Sequence, residues 1–207
     1  MRLVLASGSP RRRDLLTQAG LDFEVIPSTV DEDRITRARP VALARALARA
    51  KARDVAASHP DATVLAADTI VVHRGTVLGK PRDAADARAI LGRLRGRRHR
   101  VITGVCLIAP GAPLRVTHVT SGVVMRPYGS QEVEAWIARG GPFDRAGAYA
   151  IQDADFQPVA SFEGCYCNVV GLPLWVTLQL LAAAGIRPSR PAAMPGACDV
   201  CVTKPTH

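Results

Sequence analysis

Several side chains in this sequence stand where folding alone would not put them. The opening run Leu3-Val4-Leu5-Ala6 reads as a buried strand, and Ser7-Gly8-Ser9-Pro10-Arg11-Arg12-Arg13 follows it. Gly8 lets the backbone approach a ligand, and Ser7 and Ser9 offer hydroxyls. Pro10 presets a first helical turn whose unpaired N–H groups point outward. Arginine forks match phosphate oxygens. The run suits a polyphosphate, although a plain strand-to-helix connection with solvated arginines would use the same residues.

The basic residues comprise 24 arginines and only three lysines, Lys51, Lys80 and Lys204. Against that bias, a lysine in the folded body marks a place that wants a compact ammonium. Residues 40–59 read as a long helix with Arg45, Arg49 and Arg53 along one stripe. Lys51 lies about 160° round the wheel from Arg49, beside Ala44, Leu47 and Val55 on the apolar face. An ammonium there needs a reason, and an i, i+3 pair with Asp54 is the modest one. Lys80 precedes Pro81 on a loop after a short strand, where functional side chains often project.

Asp68 and Thr69 interrupt an apolar strand read over residues 62–73. A carboxylate inside a buried strand is costly unless it is paired, hydrogen-bonded or bound to a metal. Asp68 is thus the candidate catalytic acid, base or ligand; a structural carboxylate against an arginine is the competing role. Asp31-Glu32-Asp33 concentrates acid in a basic chain, either as a solvated loop or as a carboxylate reaching a cleft.

The elements that must position these groups alternate. A strand at 22–26 follows the first helix, and Asp83 caps a helix to about Gly96. Residues 100–108 and 114–125 form a hairpin of long strands, and Ser130 caps a further helix. A strand at 157–162 comes next, the alternation of Cys165 and Cys167 puts both on one face of a strand, and a last helix runs over 173–184. This order predicts a mixed α/β fold with a curved sheet and a cleft.

The chain has 207 residues, 48% hydrophobic and 4% aromatic, with a net charge of +9. The scattered basic residues lack an aromatic platform, which argues against a stable nucleic-acid complex. No apolar run approaches the roughly 20 residues of a membrane span, and no signal-peptide core is visible, so a cytoplasmic protein is expected. Cys106 reads as a buried thiol. Cys198-Asp199-Val200-Cys201 is a lone C-x-x-C, too little for zinc without two further ligands. It falls in residues 187–207, expected to be a disordered tail.

Taken together, Ser7-Gly8-Ser9-Pro10-Arg11-Arg12, Asp31-Glu32, Lys51-Ala52, Ala67-Asp68-Thr69-Ile70-Val71, Leu78-Gly79-Lys80-Pro81, Thr103-Gly104-Val105, 144–152 (DRAGAYAIQ) and 168–173 (NVVGLP) resemble the Maf family. These are septum-formation-inhibitor-like nucleoside triphosphate pyrophosphatases. The resemblance implies one two-lobed α/β domain over 1–186, related to inosine triphosphate pyrophosphatases, with a central cleft. It implies hydrolysis of a nucleoside triphosphate to monophosphate and pyrophosphate with a divalent metal, Mg²⁺ or Mn²⁺. Asp68 matches the general base, and Arg11, Thr69 and Gln152 match positions linked to substrate choice. Ser7, Arg12, Glu32, Lys51 and Lys80 match the other cleft positions.

On that resemblance Asp68 and Glu32 hold the metal and Asp68 activates water, while Arg11, Arg12, Lys51 and Lys80 grip the phosphates. The Tyr149-Ala150-Ile151-Gln152 form is similar to the dTTP/UTP branch rather than the 7-methyl-GTP branch. Gly141, Arg145 and Asp153 depart from the usual residues. A 7-methyl-GTP or purine-type pyrophosphatase, a non-catalytic nucleotide-binding regulator of septum formation and another phosphate-transfer enzyme remain alternatives. For the last, a phosphatase or kinase, neither a P-loop signature nor an acyl-phosphate nucleophile motif is visible. A homodimer is left open.

Overall fold

In a computed structural model, residues 2–37, 39–198 and 201–204 are described. Seven strands form one mixed sheet: β1 (Leu3–Leu5), β2 (Glu24–Val25), β3 (Thr63–His73), β4 (Thr76–Leu78), β5 (Arg98–Ile108), β6 (Arg115–Met125) and β7 (Val159–Glu163). Their order is β2-β1-β3-β5-β6-β7, with β4 pairing β3. β1 is parallel to β2 and β3, and the remaining pairings are antiparallel. The helices are α1 (Pro10–Gln18), α2 (Pro40–Ser58), α3 (Ala84–Leu94), α4 (Ser130–Ala138), α5 (Tyr166–Val170) and α6 (Leu174–Ala182).

Strand alternation sorts the core onto two faces. Val4, Ala6, Val64 and Ala66 pack with Ala48, Ala52 and Val55 of α2. Leu3, Leu5, Leu65 and Ala67 instead pack with α1 and α6 through Leu15, Leu16, Leu174 and Leu181. Toward its other end β3 contributes Val71 to a third cluster with Leu91 and Leu94 of α3 and Trp136 of α4. Gly104 of β5 is where α2 comes closest, because a Cβ there would lie 2.3 Å from the Ala44 carbonyl oxygen.

One break in this pairing makes the cleft. β1 pairs with β3 only over Thr63–Leu65. On the same side, β4 takes up the pairing only from Val71. The intervening stretch of β3, which holds Asp68 and Thr69, is paired with β5 alone among the described residues. An edge left open between two partial neighbours is a gap into which side chains and a ligand can project.

Two readings from sequence need correction. Cys165 and Cys167 do not lie on a strand: Gly164 turns the chain at φ +100°, and Cys165 caps α5, its sulfur accepting the Asn168 N–H at 3.4 Å. The alternation was real but only two residues long, too short to distinguish a strand from a helical turn. Ser130 is the first residue of α4, not its cap; the cap is Gly129, whose N–H donates to Glu132 at 2.7 Å. The stretch expected to be a disordered tail also differs over its described residues. Ser189 N–H donates to the Gly20 carbonyl at 2.8 Å and Ala193 N–H to that of Gln18 at 2.7 Å. Ile186, Cys198 and Cys201 enter the core beside α6, which supplies the apolar contact that proline-rich composition hides. Residues 199–200 and 205–207 lie outside the described residues.

Gly104→Ala tests the α2–sheet contact. Overpacking against backbone costs about 1–3 kcal/mol or more, so its Tm should fall by several degrees. An unchanged Tm would show that α2 does not approach so closely.

Candidate active site

The gap beside β3 opens into a cavity of about 1080 Å³, lined by the Ser7–Arg12 turn, Glu32, Lys51, Asp68, Thr69, Lys80 and Gln152 among others. The candidate catalytic, metal and substrate positions, Ser7, Arg11, Arg12, Glu32, Lys51, Asp68, Thr69, Lys80 and Gln152, thus line one space. Asp68 and Thr69 are consecutive on a strand, so they point to opposite sides of the sheet. Each organises its own half of the site.

Asp68 points toward α2. Its Oδ1 lies 2.5 Å from Lys51 Nζ, which also reaches Glu32 Oε1 at 2.8 Å. The Asp68 and Lys51 side chains are 8% and 12% exposed, whereas Glu32 is half exposed at 51%. Lys51 therefore faces inward for a reason, and its partner is not Asp54. Asp54 instead accepts the Ser28 hydroxyl at 2.8 Å and the Thr29 N–H at 2.7 Å, holding the start of the acidic loop on α2. Within that loop Asp31 accepts the Asp33 N–H as the cap of a short turn, leaving Glu32 to reach the ammonium. Burial raises the Asp68 carboxyl above the usual carboxylate range, and attraction to Lys51 and Arg12 only partly offsets it.

Thr69 points toward α1 and α5, where Arg12 is the hub. The buried guanidinium donates from Nε to the Gly171 carbonyl at 2.8 Å, from Nη1 to Ser7 Oγ at 3.0 Å and from Nη2 to Thr69 Oγ1 at 3.1 Å. All three of its nitrogens are engaged by protein, so Arg12 ties the first turn, the mid-strand and the end of α5 together. Thr69 and Thr103 hydroxyls lie 2.9 Å apart, and Thr103 donates to the Asn168 carbonyl at 3.1 Å. The Asn168 amide donates to the Val101 carbonyl and to Ser121 Oγ. Gly171 adopts φ +133°, a conformation L side chains rarely take, with its carbonyl turned onto Arg12.

At the mouth, Asp144 joins two of the cations read from sequence. Its Oδ1 lies 3.0 Å from Lys80 Nζ, its Oδ2 3.6 Å from Arg11 Nη1, and its carbonyl accepts Arg11 Nη2 at 2.9 Å. Burial acts to raise this carboxyl, but Lys80, Arg11 and Arg145 outweigh it and hold it below its ordinary value. The Gly147 N–H donates to the Gly79 carbonyl at 3.0 Å, which sets the Lys80 loop beside Asp144. Neither Asp144 nor Asn168 was given a role from sequence. A carboxylate opening a small-residue motif in so basic a chain was the available signal for the first. Nothing local marks the second, whose partners lie 47 to 67 residues away.

The departures from the family pattern have local explanations. At Gly141 a Cβ would meet the Trp136 ring at 2.3 Å. Arg145 lies over that same ring, 5.0 Å from its centroid. Asp153 accepts the Phe156 N–H at 2.7 Å and Arg139 Nη2 at 2.9 Å. Its carboxylate is committed to that turn. Tyr149 is anchored by a 2.8 Å hydrogen bond to buried His99, which burial pushes down to about 4. Gln152 is exposed at the cavity wall.

Residues 2–184 match the family described as "Maf-like protein". A dTTP/UTP pyrophosphatase of Thermomicrobium roseum is 53% identical, covering 100% of this chain and 96% of that one. A dTTP/UTP pyrophosphatase of Moorella thermoacetica is 50% identical over 89% of this chain and 96% of its own. Among solved structures, a HAM1 protein from Coxiella burnetii overlaps 62% of this chain and 74% of its own, at 17% identity and a TM-score of 0.42.

The raised Asp68 carboxyl has a measurable consequence. A folded-state pKa above the unfolded value means that the native protein holds this proton more tightly. The contribution is full below the unfolded pKa of about 3.9 and is lost as pH rises through the folded value. The stability of the unmodified chain relative to Asp68→Asn should therefore decline across that window in urea unfolding at stepped pH. A difference that rises with pH would contradict it.

Proposed function

The chain belongs to the Maf family, and from that membership and the cavity we propose that it hydrolyses a nucleoside triphosphate to the monophosphate and pyrophosphate, with dTTP or UTP as substrate. The observation that carries this reading is the buried Asp68 carboxylate, held at 2.5 Å by Lys51 in a cavity whose mouth carries Arg11 and Lys80. A site that only bound nucleotide would gain nothing by placing a carboxylate near phosphates. The dTTP/UTP pyrophosphatases that resemble this chain over nearly their whole length support the substrate.

Cleavage between the α- and β-phosphates needs water at the α-phosphorus and neutralisation of charge on the leaving pyrophosphate. Asp68 is the base: a desolvated carboxylate with a raised pKa accepts a proton from water more readily than an exposed one. Lys51 orients Asp68, its charge working against burial to favour the ionised form, and presents positive charge to the cavity. Arg11 and Lys80 now share Asp144, and a triphosphate brings more negative charge to the same place. In our reading they exchange the carboxylate for phosphate oxygens. Arg12 acts differently from the sequence expectation, as the brace that keeps Ser7 and Thr69 in position. Gln152 offers an amide, both donor and acceptor, to a pyrimidine edge.

The residues fit a hard divalent cation. Glu32 and Asp68 come from different segments yet converge on one cationic atom, Lys51 Nζ. Mg²⁺ is held by one or two carboxylates with phosphate oxygens and water completing the shell. Glu32 and Asp68 would hold it, and when bound it would offset charge on the phosphate oxygens. No described helix is long and apolar enough to cross a membrane, and we place the activity in the cytoplasm on free nucleotides, within a single unit over 1–186 whose lobes flank the cleft.

A panel of nucleotides with Mg²⁺ or Mn²⁺, assayed for both pyrophosphate and orthophosphate, tests the proposal. Pyrophosphate should appear, with kcat/KM for dTTP and UTP exceeding that for purine and 7-methyl-GTP substrates by roughly tenfold or more. Orthophosphate alone, or no release from any nucleotide, would overturn the reaction, and a purine preference would overturn the substrate.

A further inference from the structure

The C-x-x-C of Cys198 and Cys201 lacks two ligands for a metal centre, and the fold brings two cysteines to it. Cys165 and Cys167, at the start of α5, lie in one core cluster with Cys198 and Cys201. The Cys165 thiol neighbours that of Cys201, and the Cys167 thiol that of Cys198. All four residues are at most 5% exposed, and none is in a disulfide. Their surroundings are apolar, with Leu172, Leu174, Tyr166 and Trp175 in the same cluster. The Trp175 indole donates to the Cys198 carbonyl at 3.1 Å, tying Cys198 to α6.

A single buried cysteine is an ordinary small hydrophobe, and Cys106, alone on β5, is one. Four sulfurs from two segments 30 residues apart are different. Soft sulfur donors in a dry, closed pocket favour zinc over magnesium or calcium. Burial raises the Cys165 and Cys167 thiols above their ordinary range. A divalent cation reverses that balance, because a coordinating thiol is deprotonated outright. With four sulfurs no coordination position stays open, so such a centre is structural.

We propose that Cys165, Cys167, Cys198 and Cys201 form a four-thiolate site for a zinc-class cation, which clamps the C-terminal segment to α5 and α6. As placed, the thiols lie as neighbours in twos, and no group of three potential ligands among the described residues has the arrangement of a formed centre. Binding therefore includes a local shift of the sulfurs toward one point, with Cys201 giving up its 3.1 Å contact to Thr203. The clamp lies behind the active site. α5 bears Asn168, its end is Gly171, and the Cys165 carbonyl accepts from Ser121, the residue that also holds the Asn168 amide.

The test uses the full chain, purified without chelator or added metal. Elemental analysis should find roughly one zinc per chain. Joint Cys198→Ser and Cys201→Ser should lower this at least about tenfold, while Cys106→Ser leaves it unchanged. Because the double variant can also lose its fold, Co²⁺ is titrated into the unmodified chain after chelator treatment. A thiolate-to-cobalt charge-transfer band saturating at one equivalent, with the visible bands of tetrahedral Co²⁺, supports the site. Absence of both zinc and that band overturns the proposal, as does an unreduced mass showing the four sulfurs in two disulfides.

Discussion

A carboxylate with almost no solvent, held to an ammonium at 2.5 Å in mid-strand, is the constraint around which this molecule is arranged. Neither group could be buried alone: an unpaired charge in such a place costs several kcal/mol, of the order of the penalty for breaking a buried pair. The pair exists because α2 crosses the sheet closely enough for Lys51 to reach β3, and Gly104 makes that approach possible. It opens to a ligand because β1 stops before Asp68 and β4 starts after it. Sheet topology, one glycine and one lysine on the apolar face of a helix thus serve a single carboxyl.

The second half of the site is built from neutral hydrogen bonds around one cation. Arg12 links the first turn to Thr69 and Gly171, and Thr69 continues through Thr103 to Asn168. Buried, with each nitrogen bonded to a protein acceptor, this guanidinium is positioned as a brace, and in the proposed mechanism Arg11 and Lys80 at the mouth meet the phosphates. That division follows from burial: Lys80 is exposed and Arg11 partly so, and each can exchange a carboxylate for a phosphate, whereas Arg12 could not leave its partners without orphaning several buried polar groups. A four-sulfur clamp behind α5 would stiffen the same wall from the other side.

Much of this was legible in the sequence, for identifiable reasons. The long β3 and α2 carry enough residues for periodicity to speak, so Asp68 stood out in an apolar strand and Lys51 on an apolar face. The scarcity of lysine made Lys80 visible. What escaped depended on contacts between distant segments. Asp144 meets Arg11 across 133 residues, and Arg12 could not be told apart from Arg11 until Gly171 was seen to accept from it. Glu32 could be separated from Asp31 and Asp33 by the family resemblance but not by pattern, because a short turn decides which of the three points inward. α5 is only five residues long, too short for a helical period, and the segment after α6 draws its order from the body it packs on.

The central claim is that Asp68 performs chemistry rather than holding the fold together. The most direct measurement is dTTP or UTP affinity and single-turnover pyrophosphate release for Asp68→Asn, with circular dichroism and Tm recorded on the same sample. The expected result is a folded protein that retains nucleotide binding and releases pyrophosphate at least roughly 10²-fold more slowly, as loss of a general base requires. A folded variant that turns over near the unmodified rate would contradict the claim and leave Asp68 as a structural partner of Lys51.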